Sequence, residues 1–306
     1  MASYTLRQLK YFVTTVEAGS VAEASRQLYI AQPSVSTAIK SLEESFNVQL
    51  FIRHHAQGVS LTPTGTRFYH KAQELLRMAR EFEQNALADN DTVSGQIDTG
   101  CFETVAPLYL PQLIAGFRKL YPGVDIRIRD GEQQELVQGL TAGTFDVAFL
   151  YDHGLDGTIQ TTPLMPPQKP YVLLPEGHRF ADQKEVSLRD LCSEPMILLD
   201  VQPSRTYFVS LFHELELTPN IVFSSPSIEM VRGMVGQGFG FSILVTRPHS
   251  ECTYDGKKVV SVNIKEPVTL SGLASAHLKR SQLTKPAQLF VDFCREQLSQ
   301  KVASPL

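Results

Sequence analysis

The sequence predicts an α/β protein built from a small helical head, one long helix and a larger body of alternating strands and helices. Three observations predict it. Apolar residues recur at helical spacing three times before residue 47 and are followed by two short alternating runs. Residues 63 to 90 carry a seven-residue repeat with no proline after Pro63. From Gln96 onward, strand-like and helix-like segments take turns. The 306 residues amount to about two domains at roughly 100 to 200 residues each, enough for a sizeable core. With 42% hydrophobic and 20% charged residues, the chain is neither disordered nor fibrous.

In the head, Leu6, Leu9, Phe12, Val13 and Val16 form a first helix that stops at Ala18-Gly19. Ser20-Val21-Ala22-Glu23 reads as a capping box that opens a short helix through Ala24 to Leu28. Gln32-Pro33 starts a third helix, whose apolar stripe is Val35, Ala38, Ile39, Leu42 and Phe46. Its opposite face carries Gln32, Ser34, Ser36, Thr37 and Lys40. These are short or amide side chains with one cation and no carboxylate, which suits a helix entering the major groove of duplex DNA. Val48 to Arg53 and Val59 to Thr62 then alternate as two strands around the tip His54-His55-Ala56-Gln57-Gly58. Helix-turn-helix plus hairpin is a winged helix-turn-helix. Gln32, Ser34, Ser36 and Thr37 are the expected base contacts, and Lys40, Arg53, His54 and His55 the expected phosphate contacts. Adjacent histidines on a strand point to opposite faces, so no metal is expected there.

Charge agrees with this division. Residues 1–80 hold nine bases and five acids, whereas the whole chain has 28 Lys+Arg against 32 Asp+Glu and a net charge of -4. A basic head on an acidic body fits a polyanion partner at one end only.

Residues 6–65 resemble the N-terminal domain of the LysR-type bacterial transcriptional regulators. The resemblance rests on an ordered series: Leu9-x-x-Phe12, Glu17-x-Gly19-Ser20, Ala24 with Leu28, Gln32-Pro33-Ser34-Val35-Ser36, Ile39-x-x-Leu42-Glu43, Leu50-Phe51-x-Arg53 and Leu61-Thr62-x-x-Gly65. Ala31 departs from it, since the family usually has a hydroxyl residue there to cap the recognition helix. The resemblance implies a regulator of transcription that binds double-stranded DNA as a homodimer or homotetramer, with RNA polymerase as a further partner. It sets domains at 1–62 (winged helix-turn-helix), 63–90 (dimerising linker helix) and 91–306 (effector-binding).

The linker helix is also read from the residues. Thr62-Pro63 gives a cap and a first-turn proline. Phe68, Leu75 and Phe82 recur every seventh residue, each followed four later by Ala72, Ala79 or Ala86. That pattern is a seam of large and small side chains. A helix of about 40 Å exceeds what a head of this size can cover, so an intermolecular seam is favoured over packing on its own chain.

In the body, strands are expected at Gln96 to Gly100, Val124 to Arg129 and Val147 to Leu150, with helices at Val105 to Tyr121 and Gln133 to Ala142. Repeated βαβ units predict a parallel sheet. After pauses at Thr161-Thr162-Pro163 and Pro166-Pro167, strands at Tyr171 to Leu174, Met196 to Leu199, Ile221 to Ser224 and Phe241 to Val245 suggest a second sheet, with a helix at Ile228 to Val235. The family resemblance then implies two chain crossings, near Pro163 and Pro267. They return Val268 to Ala276 and a helix from Lys285 to the first lobe, giving lobe I about 91–162 and 267–306 and lobe II about 163–266. Such a two-lobed body resembles periplasmic binding proteins, whose small-molecule ligand lies between the lobes. Helix starts with free amides favour a small carboxylate. The expected effector contacts are Phe102, Thr104, Gln133, Ser204, Arg205, Ser225 and Ser227. The family often has Ser or Thr where Gln133 stands.

Other classes fit less well. There is no P-loop, and Gly236-Gln237-Gly238-Phe239-Gly240 has the wrong spacing for a dinucleotide loop and precedes a strand, so it is read as a turn. Cys101 sits at a strand end but has no His or second Cys close in sequence to activate it. No catalysis, cofactor or metal is expected, and four scattered cysteines give neither a disulfide framework nor a zinc knuckle. A solute-binding receptor without DNA binding is the remaining alternative. Against it stand the 90-residue head and a start, Met1 to Gln8, that lacks a basic and then apolar leader. No apolar run nears the roughly 20 residues that span a bilayer, so the expected location is the cytoplasm, without a membrane partner.

Overall fold

The structure is a computed structural model that describes residues 4–54, 58–87 and 93–302. The chain forms two compact units, one of Met1–Val93 with Gly139–Phe145 and the other of Ser94–Gln138 with Asp146–Leu306.

In the first unit, α1 (Leu6–Ala18) opens with a complete capping box at Thr5, one residue before the sequence reading begins. The Gln8 amide donates to the Thr5 hydroxyl at 3.2 Å and the Thr5 amide to Gln8 Oε1 at 2.8 Å. Gly19 ends α1 in the left-handed region at φ 68. Ser20 caps α2 (Val21–Gln27) by accepting from the Glu23 amide at 3.1 Å, but Glu23 turns to Arg26 at 2.8 Å instead of closing the expected box. α3 (Gln32–Phe46) buries Val35, Ile39 and Leu42 against Leu9, Phe12 and Val13 of α1 and against Leu50 and Phe51. Its N-cap, Ala31, makes no side-chain hydrogen bond. Ala31→Ser is therefore expected to raise the stability of the head by about 1 kcal/mol, seen as a higher urea midpoint with an unchanged slope.

The wing is β1 (Phe51–His54) paired antiparallel with β2 (Gly58–Leu61); β2 keeps the length of the second sequence run, shifted by one residue, whereas β1 begins three residues later than the first. The reason is Glu43. Its Oε1 accepts from the amides of Leu50 and Phe51 at 2.8 and 3.3 Å, and its carbonyl accepts from Val48 at 3.0 Å, so residues 48–50 are tied to α3 rather than to the hairpin. α4 (Pro63–Leu87) starts where the Thr62 hydroxyl accepts from the Gly65 amide at 2.9 Å.

The first half of α4 departs from the expected intermolecular seam. Phe68 packs edge-on to Phe12 and Phe46 at 5.3 and 5.0 Å, Ala72 is 3% exposed, and Leu75 joins the same core. The head's aromatic cluster meets this stretch within one chain. Ala79 is half-buried and Phe82 is 75% exposed. The side chain of Ala86, like His55, lies outside the described residues.

The second unit runs β3 (Ser94–Phe102), α5 (Ala106–Leu120), β4 (Gly123–Gly131), α6 (Gln133–Ala142), β5 (Val147–Tyr151), β6 (Ile159–Pro163), β7 (Tyr171–Pro175), β8 (Glu185–Val186), α7 (Leu188–Leu191), β9 (Pro195–Leu199), α8 (Ser204–His213), β10 (Asn220–Ser225), α9 (Ile228–Gly236), β11 (Ser242–Leu244), β12 (Val259–Ile264), β13 (Leu273–Leu278) and α10 (Lys285–Val302). One lobe holds a sheet of order β4-β3-β5-β13-β6. β4, β3 and β5 pair parallel, and β13 pairs antiparallel with both β5 and β6, so β13 alone runs against the other four strands. The parallel expectation thus holds for the direction of every strand of this sheet except β13, which returns from the other lobe between β5 and β6. The other lobe holds β11-β7-β12-β8 and the pair β10-β9, joined at a bridge between Met196 and Phe241. Residues 164–170 and 265–272 connect the lobes and pair at Gln168 and Ser271, whose amides donate to each other's carbonyls at 2.7 and 2.9 Å. Gly236 to Gly240 form the turn from α9 to β11, and a Cβ on Gly240 would lie 2.1 Å from the Pro195 carbonyl oxygen. No helix among the described residues is long and apolar enough to cross a membrane.

His277 on β13 is half-buried, and burial holds its imidazolium below the usual histidine range. The unfolded chain therefore binds a proton near pH 6.5 that the folded chain resists, so stability falls as pH drops through that value. His277→Gln is expected to flatten the decline in unfolding midpoint between about pH 7 and 5.

Candidate functional site

The head presents one polar helix face beside the wing. Gln32, Ser34, Thr37 and Lys40 are exposed and Ser36 is half-buried, opposite the stripe that α3 buries. Lys40 reaches Glu44 at 3.6 Å, an exposed pair one turn apart and weak enough for a phosphate to replace. Arg53 is exposed on β1, and His54 Nε2 lies 2.7 Å from the Ser60 hydroxyl across the hairpin, which fixes the ring. The wing is itself tied down: the Val59 amide donates to the Gly19 carbonyl at 3.0 Å. Gly58 has φ 90, and a Cβ there would meet that same carbonyl at 2.4 Å. Gln8 Nε2 donates to the Ser41 hydroxyl at 3.1 Å, locking α1 to α3. A rigid helix with compact polar groups, flanked by cations, can fill a major groove and hold its phosphates.

The body carries a cavity of about 600 Å³ between its lobes. Its walls include Gln133 and Gln138 of α6, His153 after β5, Gln202 and Tyr207 around the start of α8, and Thr269 in the connecting segment. Strand ends and helix starts converge here, as the doubly wound arrangement dictates. The His153 ring stacks on Tyr207 at 5.2 Å and 17°, and Gln133 Nε2 donates to the His153 carbonyl at 2.6 Å. Gln133 Oε1 and His153 Nε2 are buried with no hydrogen-bond partner among the described residues. Behind the stack is a narrower recess bounded by Thr104, Tyr151, Ser204, Phe208, Thr246 and Ser271. There the Tyr151 and Thr246 hydroxyls lie 3.1 Å apart, the Thr246 hydroxyl is 3.5 Å from that of Thr104, and the Tyr171 hydroxyl donates to the Thr246 carbonyl at 3.1 Å. Burial pushes the Tyr151 phenol up to about 12, so it stays a neutral donor and acceptor.

The sequence-derived effector candidates divide. Gln133 lines the cavity, and Thr104 and Ser204 line the recess. Phe102 is fully buried and packs edge-on to Tyr151 at 5.5 Å, so it supports the wall from behind. Arg205 pairs with Asp200 at 2.6 Å and lines neither space. Ser227 caps α9 through the Met230 amide at 3.3 Å, and the Ser225 hydroxyl accepts from the Ser227 amide at 3.2 Å; neither reaches the cleft. Sequence reasoning missed His153, Tyr207, Tyr151 and Thr246. The usable signal is position, since each lies within one turn of a strand end or a helix start. Cys101 and Cys294 are buried, and burial pushes both thiols above their ordinary range, the opposite of what a nucleophile needs.

Comparisons with known proteins follow the same division. The family profile described as "Bacterial regulatory helix-turn-helix protein, lysR family" matches residues 6–66, and that described as "LysR substrate binding domain" matches residues 90–299. The HTH-type transcriptional regulator YvbU of Bacillus subtilis is 30% identical, over 95% of this chain and 98% of its own length. The crystal structure of HinK, a LysR family transcriptional regulator from Pseudomonas aeruginosa, is 79% identical and covers 98% of this chain and 100% of its own, with a TM-score of 0.68. Full-length CbnR, crystallised with its target DNA, shares the fold at 22% identity and a TM-score of 0.66, covering 95% of this chain and 99% of its own.

Proposed function

The chain belongs to the LysR family of DNA-binding transcriptional regulators, and from that premise we propose a specific division of labour within it. The protein is a regulator and not an enzyme, with a DNA-binding head, an effector-binding body and an oligomeric state in which it acts. In our reading Gln32, Ser34, Ser36 and Thr37 touch base edges, while Lys40, Arg53, His54 and His55 hold phosphates. The observation that carries this is the stretch Gln32 to Lys40 of α3, whose polar face holds no carboxylate and is largely exposed beside an anchored wing. Two heads on a homodimer, or on a homotetramer made from two dimers, read paired half-sites in the cytoplasm. RNA polymerase is the partner that senses the result.

The effector is a small carboxylate bound in the interlobe cavity. Neither the cavity nor the recess is lined by Lys or Arg, and Asp156 lines the cavity, so the favourable electrostatics come from the partial charge at the helix starts of α6 and α8. α8 begins without a side-chain cap, although the Arg205 amide already donates to the Val201 carbonyl at 2.9 Å. Gln133 Oε1 and His153 Nε2 add unspent hydrogen-bonding capacity. The effector acts only if it prefers one lobe arrangement, because equal affinity for two states shifts neither. A thermal-shift screen of small carboxylates against amines and alcohols of the same shape tests the assignment. Stabilisation by carboxylates alone, abolished in His153→Ala, is the expected result, whereas stabilisation by amines alone overturns it.

A further inference from the structure

Tyr29 has no evident role within its own chain. It sits in the turn between α2 and α3, three residues before Gln32, and is 96% exposed, the highest value recorded for a large hydrophobic side chain among the described residues. Its backbone is left-handed at φ 56, a region that costs a tyrosine strain and that glycine or asparagine occupies freely. Its neighbours explain how it is held. Leu28 and Ile30 both pack on the core of the head, and the Tyr29 amide donates to the Arg26 carbonyl at 3.2 Å. Two inward anchors around a left-handed residue force the ring outward and keep it there. Strain and full exposure of an aromatic ring are both unfavourable in the free protein, and no side-chain contact among the described residues of the head offsets either.

We propose that Tyr29 is a contact to the DNA backbone, its ring lying on a deoxyribose and its phenol donating to a phosphate oxygen beside the bases met by α3. This rests on the reading of α3 as the groove helix. Tyrosine hydroxyls are ordinary phosphate donors, and such contacts set register without reading sequence. A neutral phenol displaces no counterion, so the contact adds affinity without steepening the dependence on salt.

The test uses the full chain with two duplexes, the region upstream of its own gene and an unrelated sequence, in fluorescence anisotropy at fixed salt. Tyr29→Gly is expected to unfold at the same or a higher temperature, since glycine relieves the left-handed backbone. Its affinity for both duplexes is expected to fall about tenfold, with an unchanged salt slope. Tyr29→Phe keeps the ring and loses the hydroxyl, and a fall of about threefold is expected. Unchanged affinity in Tyr29→Gly overturns the proposal, as does a loss confined to the specific duplex, which denotes a base contact. Gln32→Ala and Ser36→Ala separate the two readings. If they relax sequence preference while Tyr29→Gly does nothing, only the Tyr29 assignment fails. If neither alters preference, the groove reading of α3 fails first.

Discussion

Gly65→Ala is expected to destabilise the head by about 2–4 kcal/mol, a large share of the roughly 5–15 kcal/mol that a domain has in total. The first turn of α4 passes directly over the Leu50 carbonyl, and a Cβ at position 65 would stand 2.1 Å from that oxygen and 3.0 Å from Leu61 Cδ2. The carbonyl cannot swing aside cheaply. It accepts from the Thr62 amide at 3.0 Å, and Thr62 in turn donates its hydroxyl to Gln49 at 2.7 Å and caps α4. Relief therefore costs either the cap or the register between wing and helix. In thermal unfolding followed by circular dichroism, the head transition should drop by ten degrees or more, on the order of several degrees per kcal/mol, while the body transition stays in place. Gly177→Ala, where a Cβ would meet nothing within 4 Å, is the control expected to change little. Equal midpoints for the two variants would show that the close approach at Leu50 does not constrain the head.

The head was legible in the sequence because its signals are local. Helical periodicity, Gly19 and the Pro33 start each act within one turn, and the three helices lie where those signals put them. What escaped was non-local. Glu43 reads as an ordinary surface acid past the recognition face, yet it accepts the amides of residues seven and eight positions on. Phe68 and Ala72 fit a heptad seam equally well in one chain or between two, and the contact of Phe68 with Phe12 and Phe46 inside the head is one that no spacing encodes. In the body, β12 alternates buried and exposed residues through Val259 to Ile264 but passed unread among turn-forming neighbours, and β6 is a polar edge strand with exposed Gln160 and Thr161. Edge strands need only one apolar face, which weakens their pattern. The cleft shows the same limit. Helix starts could be read, but a serine at a helix start caps its own helix as readily as it meets a ligand, as Ser227 does. Tyr207 and His153 are joined by stacking across the lobes, a pairing that no sequence spacing encodes.

Phe82→Glu is expected to separate the dimer and to weaken binding to a two-half-site operator by about 10²- to 10⁴-fold, the avidity that joining two heads supplies. Phe68, Ala72 and Leu75 pack on the head's own core, and beyond them Met78 is 54% and Phe82 75% exposed, so the contact between copies is expected on that part of α4. A phenylalanine this exposed contributes little to folding of its own chain, but burying it in a partner stabilises by about 1.5–3 kcal/mol. A two-fold interface places each substitution twice, so the variant sets two carboxylates near one another where two rings had packed. Sedimentation should then report a monomer, with an unfolding midpoint close to that of the native chain and with binding to an isolated half-site unchanged. That combination separates lost assembly from lost folding and from a damaged groove helix. If Phe82→Glu stays dimeric at micromolar concentration and keeps its operator affinity, the contact between copies lies elsewhere on the chain.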